Sequence, residues 1–240
     1  ISAGAQRSAP AAGEVAFRFG DIRSDRLDGV DLEVRRGEIV GVAGLDGSGR
    51  EEMAMAITGA VPATLRVQDP RGGTHDGLDP RRAQALGIAL VLANRHPGSA
   101  VKEFTVRENV SLPALARYAR WSRVMPAAEN AAVVRRIMEV DLRPPDPARP
   151  YAFLSGGNQQ KSILARWLNT EPALLVMDDP TSGVDIGARH AIYELVRAQA
   201  ARGVPTVICS ADLEDFVGVC DRVVALAGGR VAATLTGPEI

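Results

Sequence analysis

The chain has 240 residues, with 28 Lys and Arg against 29 Asp and Glu, and a formal net charge of −1. That balance leaves no electrostatic footprint for nucleic acid. A hydrophobic content of 46% is enough for the core of one large domain or of a domain with an inserted subdomain. Cys209 and Cys220 form no CxxC pair, so neither a disulfide framework nor a zinc site is expected, and the compartment reads as reducing. No uninterrupted apolar run reaches the roughly 18 residues of a membrane span.

In chain order, residues 1–12 are rich in Ala and Ser and begin without methionine, and they read as a linker in a piece cut from a longer chain. Val15–Phe19 and Val30–Val34 alternate as two strands of an edge sheet. Glu38–Ala43 is a short apolar run expected to be a buried strand. A helix after it should run to about Thr58 and stop at Gly59. Residues 61–79, rich in Pro, Gly and Asp, read as loops with a strand fragment. Asp79–Pro80 opens a helix that Gly87 stops, and Ile88–Leu92 is a second buried strand.

Residues 95–152 change character, with helical stretches near 106–118 and 126–140 and a proline-rich run Arg143–Pro150. They are expected to form a helical subdomain inserted between a first core part, 13–94, and a second, 153–240. In that second part a helix over Asn158–Leu168 precedes the strand Ala173–Met177. A helix over Ile186–Arg202, a strand Thr206–Ser210 and a hairpin around Gly228–Gly229 follow, with Asp212 able to cap a short helix. The alternation predicts an α/β fold with a mostly parallel sheet and an antiparallel edge sheet.

Three segments carry chemistry. Gly44-Leu45-Asp46-Gly47-Ser48-Gly49-Arg50-Glu51 follows a strand and opens a helix, as a P-loop does. Its glycines allow backbone N–H groups to form a concave anion nest. The usual lysine is Arg50, whose planar fork is larger than a compact ammonium. The usual Ser or Thr ligand to magnesium is Glu51, which could still hold the metal but brings negative charge near the phosphates. The strand Leu174–Met177 ends in Asp178 and Asp179, placing a carboxylate to hold magnesium and a second one to polarise water. Leu154-Ser155-Gly156-Gly157-Asn158-Gln159-Gln160-Lys161 sets a serine and two glycines at a helix start, a second anion-binding terminus. It is followed by Asp178-Asp179-Pro180-Thr181-Ser182-Gly183-Val184-Asp185.

At these residues the sequence resembles the ABC ATPase family, from Val15 onward. LSGGNQQ matches the family's signature motif, Val176–Pro180 its Walker B segment and Ser182–Asp185 its D-loop. GLDGSGRE, LSGGNQQK and DDPTSGVDIGAR together look like the second cassette of double-cassette monosaccharide importers. The resemblance implies a P-loop NTPase core that binds ATP and Mg2+. It also implies a head-to-tail pairing with a second cassette, in the N-terminal half of the same full-length chain. Ser155, Gly156, Gly157 and Asp185 would then complete the partner's site. Gly44 to Glu51, with Asp178 and Glu51 at the metal and Asp179 as the catalytic carboxylate that polarises water, would line its own.

Alignment places Ala93 at the Q-loop glutamine and Ala211 at the switch histidine, and Ile22–Asp28 lacks the aromatic that stacks on adenine. Five departures, at Arg50, Glu51, Ala93, Asp179 and Ala211, imply a degenerate site that binds nucleotide and turns it over slowly or not at all. A transmembrane permease, an external sugar-binding protein and a place on the cytoplasmic face of the cell membrane follow from the same resemblance. Asn94–His96, with Lys102 to Asn109, would lie towards the permease. Two alternatives stay open: a regulatory nucleotide-binding module without turnover, and a soluble ABC ATPase outside transport. His75, His96 and His190 lack metal-ligand spacing, and Trp121 and Trp167 read as packing residues.

Overall fold

A computed structural model describes residues 13–121 and 123–240. The expected linker, residues 1–12, lies outside the described residues. The chain divides into two compact units, one of residues up to Leu90, Ala173–Asp179 and Val196–Ile240, the other of Val91–Pro172 and Pro180–Leu195. The helical unit is therefore wider than residues 95–152, because it includes the helix that starts at Gly156.

The first unit holds two sheets. β1 (Val15–Arg23), β2 (Asp28–Arg35), β4 (Thr64–Gln68) and β5 (Thr74–Asp76) form an antiparallel sheet in the order β2-β1-β4-β5. β3 (Ile39–Ala43) and β6 (Ile88–Leu92) join β9 (Leu174–Asp178), β10 (Thr206–Ser210), β11 (Arg222–Ala227) and β12 (Arg230–Thr236) in the order β12-β11-β3-β10-β9-β6. β3 pairs in parallel with β10 and β11, and β10 with β9, while β12 returns antiparallel on β11. Every residue of β3 and β10 is buried, as continuous apolar runs in a covered parallel sheet must be. Phe17, Phe19 and Ile22 from one sheet and Val40, Val42 and Val207 from the other share one core with Met53 of α1 (Arg50–Ala56) and with Ile57 at its C-terminal end.

The strand fragment expected among loops at 61–79 is a full strand pair at 64–76. Leu65 and Val67 alternate inward, and Asp69 closes the turn by accepting from the N–H groups of Arg71 at 2.7 Å and Gly73 at 3.0 Å. α2 (Pro80–Ala85) starts as expected, with the Asp79 side chain accepting from Arg82 N.

The second unit is mainly helical. Thr105 and Glu108 form a reciprocal cap on α3 (Val106–Ser111). Pro113 stands where the expected helix tightens into a 3-10 segment, Leu112–Tyr118. A two-residue hairpin, β7 (Ala119–Arg120) and β8 (Arg123–Val124), leads to α4 (Pro126–Glu139). α5 (Gly156–Leu168) packs against α3 and α4. Its buried Arg166 donates to Asn109 O (2.8 Å), Ser99 O (2.7 Å) and Asn109 Oδ1 (2.8 Å). α6 (Ile186–Ala201) runs through both units. No described helix is long and apolar enough to cross a membrane. Trp121, expected in packing, is 88% exposed at the tip of the β7–β8 hairpin.

Candidate functional site

The glycine-rich loop lies where the sequence places it, between buried β3 and α1. Gly49 sits at φ +98°, a left-handed conformation that opens α1 and that a side chain would strain. A Cβ there would also lie 2.6 Å from Arg26 O. Leu45 at the loop tip is 87% exposed, whereas Ser48 and Arg50 are buried.

Glu51 folds back into this loop. Its carboxylate accepts from Gly47 N in a short contact and from Gly49 N at 3.2 Å. These N–H groups belong to the nest expected to hold phosphate, so the side chain itself fills that role. Burial opposes its ionisation, but hydrogen bonds from Gly47, its own N–H and Gly49, with the Arg50 charge, hold its carboxyl below the ordinary glutamate range. Arg26 lies 3.7 Å away on the outer side. The loop before Arg26 is tied to the next residue of α1, since Ser24 Oγ and Arg26 N donate to Glu52 at 2.5 and 3.2 Å.

Arg50 is buried and faces two carboxylates. Its Nη1 lies 3.4 Å from both oxygens of Asp179, and its Nη2 is 3.7 Å from Asp46. Asp179 is at φ +41° after β9, a conformation an aspartate tolerates better than most residues. Its Oδ1 accepts from Ala211 N at 3.2 Å. The position expected for a switch histidine thus reaches the catalytic candidate only through its main chain. Asp178 is half-buried beside Asp179, and desolvation followed by that neighbour's charge pushes its carboxyl up to about 6, against the opposing pull of Arg50.

The residues present fit a phosphate in one respect and resist it in another. The nest has the donors, and a carboxylate has already claimed them. For magnesium, Asp178 gains from a nearby cation, but Glu51 spends its carboxylate oxygens on the loop. No group of three or more His, Cys, Asp or Glu among the described residues could hold a metal.

In the helical unit, Ser155, Gly156 and Gly157 begin α5. Ser155 is exposed, Gly156 partly so and Gly157 buried. No side chain caps the first N–H groups of this 13-residue helix, and Ser155 Oγ instead accepts from Asn158 Nδ2 at 2.9 Å. Gly157 is required by packing, because a Cβ there would come 2.5 Å from that of Ala188 in α6. Asp185 caps α6 by accepting from Ala188 N at 2.9 Å, and Ile186 beside it is 85% exposed. Sequence reasoning missed Arg26, Ser24 and Glu52 as neighbours of the P-loop. No spacing rule links a strand-connecting loop to the third residue of a helix so far along the chain.

Comparison with known proteins gives the family. The family model described as "ABC transporter" matches residues 27–182. The Ribose import ATP-binding protein RbsA 1 of Burkholderia thailandensis is 41% identical over 208 residues, covering 86% of this chain and 41% of that protein. A Putative ribose/galactose/methyl galactoside import ATP-binding protein 3 of Agrobacterium fabrum is 38% identical over 230 residues, 95% of this chain and 46% of its own length. The chain thus spans under half the length of these relatives. Among solved structures, a nucleotide-free ATP-binding cassette from an ABC transporter superposes with a TM-score of 0.80 at 25% identity, covering 94% of this chain and 92% of that one. With its α/β core, its glycine-rich loop and its LSGGNQQ helix start, the chain belongs to the ABC transporter family of ATP-binding domains.

Proposed function

We propose that the chain is the C-terminal ATP-binding cassette of a sugar importer, with a degenerate phosphate site of its own and a working signature for a partner cassette. The sugar reading is supported by relatives named for ribose, galactose and xylose import. The division of labour is supported by one contrast. Glu51 fills the P-loop nest with a fixed carboxylate, while the first N–H groups of α5 stay uncapped beside an exposed Ser155. One anion cradle is taken and the other is open.

On this reading, ATP reaching the P-loop must displace Glu51 before its phosphates meet Gly47 and Gly49. Arg50 stays paired with Asp179, which is left shorter than a glutamate and without a histidine opposite. Losing a well-placed general base typically costs about 10²–10⁴ in rate. Ser155, Gly156 and Gly157 would bind the nucleotide held by a second cassette in the N-terminal half of the full-length chain. The exposed Leu45 and Ile186 suit such a seam. A permease, an external sugar-binding protein and a place on the cytoplasmic membrane face complete the assembly. A regulatory module without turnover remains the second reading, favoured by Glu51's occupation of the nest.

The test is Gly156→Asp in the full-length protein. It should abolish hydrolysis by the partner cassette while nucleotide binding at the P-loop here is retained. Equal loss of both would argue against completion across a seam.

A further inference from the structure

The carboxylate of Glu51 lies between two sets of donors. On one side are Gly47 N and Gly49 N of the glycine-rich loop. On the other is the guanidinium of Arg26, from the turn between β1 and β2. Its Nη1 is 3.7 Å from Glu51 Oε1, the same oxygen that accepts from Gly47.

The backbone of that turn is fixed. Ser24 N donates to Leu27 O at 3.0 Å, and Asp28 N donates to Gly229 O at 2.9 Å. Gly229 N donates in turn to Ser48 O at 2.9 Å, which joins the turn to the glycine-rich loop through the β11–β12 hairpin. Arg26 O packs so closely that a Cβ on Gly49 or on Gly229 would lie 2.6 Å from it. Arg26 N donates to Glu52 Oε2 at 3.2 Å. The side chain of Arg26 therefore starts from a settled point beside the nest.

Its head is not settled. Among the described residues the guanidinium makes no hydrogen bond, and its ion-pair neighbours, Glu51 and Glu52, both stand 3.7 Å away. The cations around it are committed, Arg23 to Asp28 at 2.6 Å and Asp21 at 2.8 Å, and Arg230 to Asp28 at 2.6 Å. The side chain of Arg26 is 53% exposed and that of Glu51 28%, so both can turn without opening the core. A Glu51 carboxylate about 1 Å closer would reach the roughly 2.7–2.9 Å of a charge-assisted bond.

A group shifts an equilibrium between two states only by the difference in its interaction with them. With Glu51 in the nest, Arg26 makes no hydrogen bond to it. With Glu51 outside the nest, Arg26 can make one or two. The arginine therefore favours the open nest, and it neutralises a charge that would otherwise stay beside incoming phosphates.

We propose that Arg26 is the receiver of Glu51: as the phosphates of a nucleotide take Gly47 N and Gly49 N, the displaced carboxylate pairs with the Arg26 guanidinium. Arg26 is thus a positioning residue for nucleotide entry that acts through Glu51. The proposal rests on the reading that ATP reaches this loop by displacing Glu51.

The test is a double-mutant cycle in the full-length protein. The probe is an azido derivative of ATP, crosslinked in the cold, with the label counted on peptides between β1 and β6 so that only this P-loop is read. Arg26→Gln should weaken the apparent Kd by about fivefold, the upper range for a half-exposed ion pair. In the Glu51→Thr background the same change should alter Kd less than about twofold. Arg26→Lys keeps the charge and should recover most of the loss, whereas a lysine as weak as the glutamine would point to lost packing and overturn the proposal. Unchanged or tighter binding in Arg26→Gln would also overturn it, since tighter binding would mean that Arg26 holds Glu51 in the nest. So would an equal loss in the Glu51→Thr background, the mark of an arginine that touches the nucleotide itself. Arg26→Met is the second neutral variant should Arg26→Gln not fold. If Glu51→Thr alone leaves Kd unchanged, the displacement reading fails and the receiver with it. If Glu51→Thr tightens binding while Arg26→Gln is silent, only the receiver fails.

Discussion

Glu51 Oε2 lies 3.2 Å from the nitrogen of Gly49, two residues before it, so a side chain of the first helical turn closes the loop that precedes its own helix. Hydrogen bonds to a charged group contribute about 1.5–3 kcal/mol, and incoming phosphate must match that before it gains anything. Glu51→Thr removes the competitor and leaves the backbone donors free. Binding of a fluorescent ATP analogue to the P-loop is expected to tighten by about tenfold, the equivalent of 1.4 kcal/mol. The same variant should lose about 1 kcal/mol of unfolding free energy, the usual value of a lost cap. Unchanged affinity would mean that the carboxylate does not compete.

Asp178 sets a pH dependence of opposite sign to that of a salt-bridged carboxylate. Its folded value is raised to about 6 from 3.8, so between those values the folded state binds more protons than the unfolded state. Stability from this group is complete below the unfolded value and is lost as pH rises through 6. A shift of that size corresponds to about 3 kcal/mol at neutral pH. Asp178→Asn is therefore expected to be more stable than the native chain at pH 7.5 in urea denaturation. The advantage should shrink towards pH 4.5.

Arg50 is the counter-charge for this carboxylate pair, and its side chain is 4% exposed. Removing one partner of a buried ion pair typically costs about 3–5 kcal/mol. Because Asp179 is less buried than Arg50, Arg50→Met should fall at or below the lower end. It should also raise the Asp178 titration midpoint, since Arg50 is the group that lowers it. Carboxyl carbon chemical shifts followed against pH would read that midpoint directly.

Arg166 anchors the helical unit by three buried bonds to main-chain and amide oxygens. Arg166→Met keeps most of the apolar stem and strands Asn109 O and Ser99 O. A loss of about 3 kcal/mol or more is expected from the charge-assisted bonds. Amide exchange should rise in α3 and α5 before it rises in the parallel sheet.

The strands were legible because their physics is local. Ile88–Leu92 and Thr206–Ser210 are apolar runs with clear ends, and their observed bounds match the sequence reading. α5 takes both signature glycines into its first turn and so begins two residues before Asn158, with Gly157 packed against Ala188. The β4–β5 hairpin was only partly legible: Asp69-Pro70 and Gly72-Gly73 announce a turn, but the two backbone bonds by which Asp69 organises it do not show in the spacing. At the site, the substitutions at Arg50 and Glu51 could be read from the motif, but their destinations could not. Whether a glutamate faces a metal or folds onto the preceding loop depends on where its backbone donors point. Likewise, nothing in the spacing brings Arg26 beside Glu51.

On the proposed two-cassette reading, the most direct measurement is phosphate release by the full-length protein after the partner cassette's own catalytic carboxylate has been removed. Turnover by the P-loop of this chain should then fall at least about 100-fold below the intact protein, in keeping with a missing general base. Residual hydrolysis near half the intact rate would mean that Arg50, Glu51 and Asp179 still make a working site, and the division between a closed cradle and an open one would be wrong.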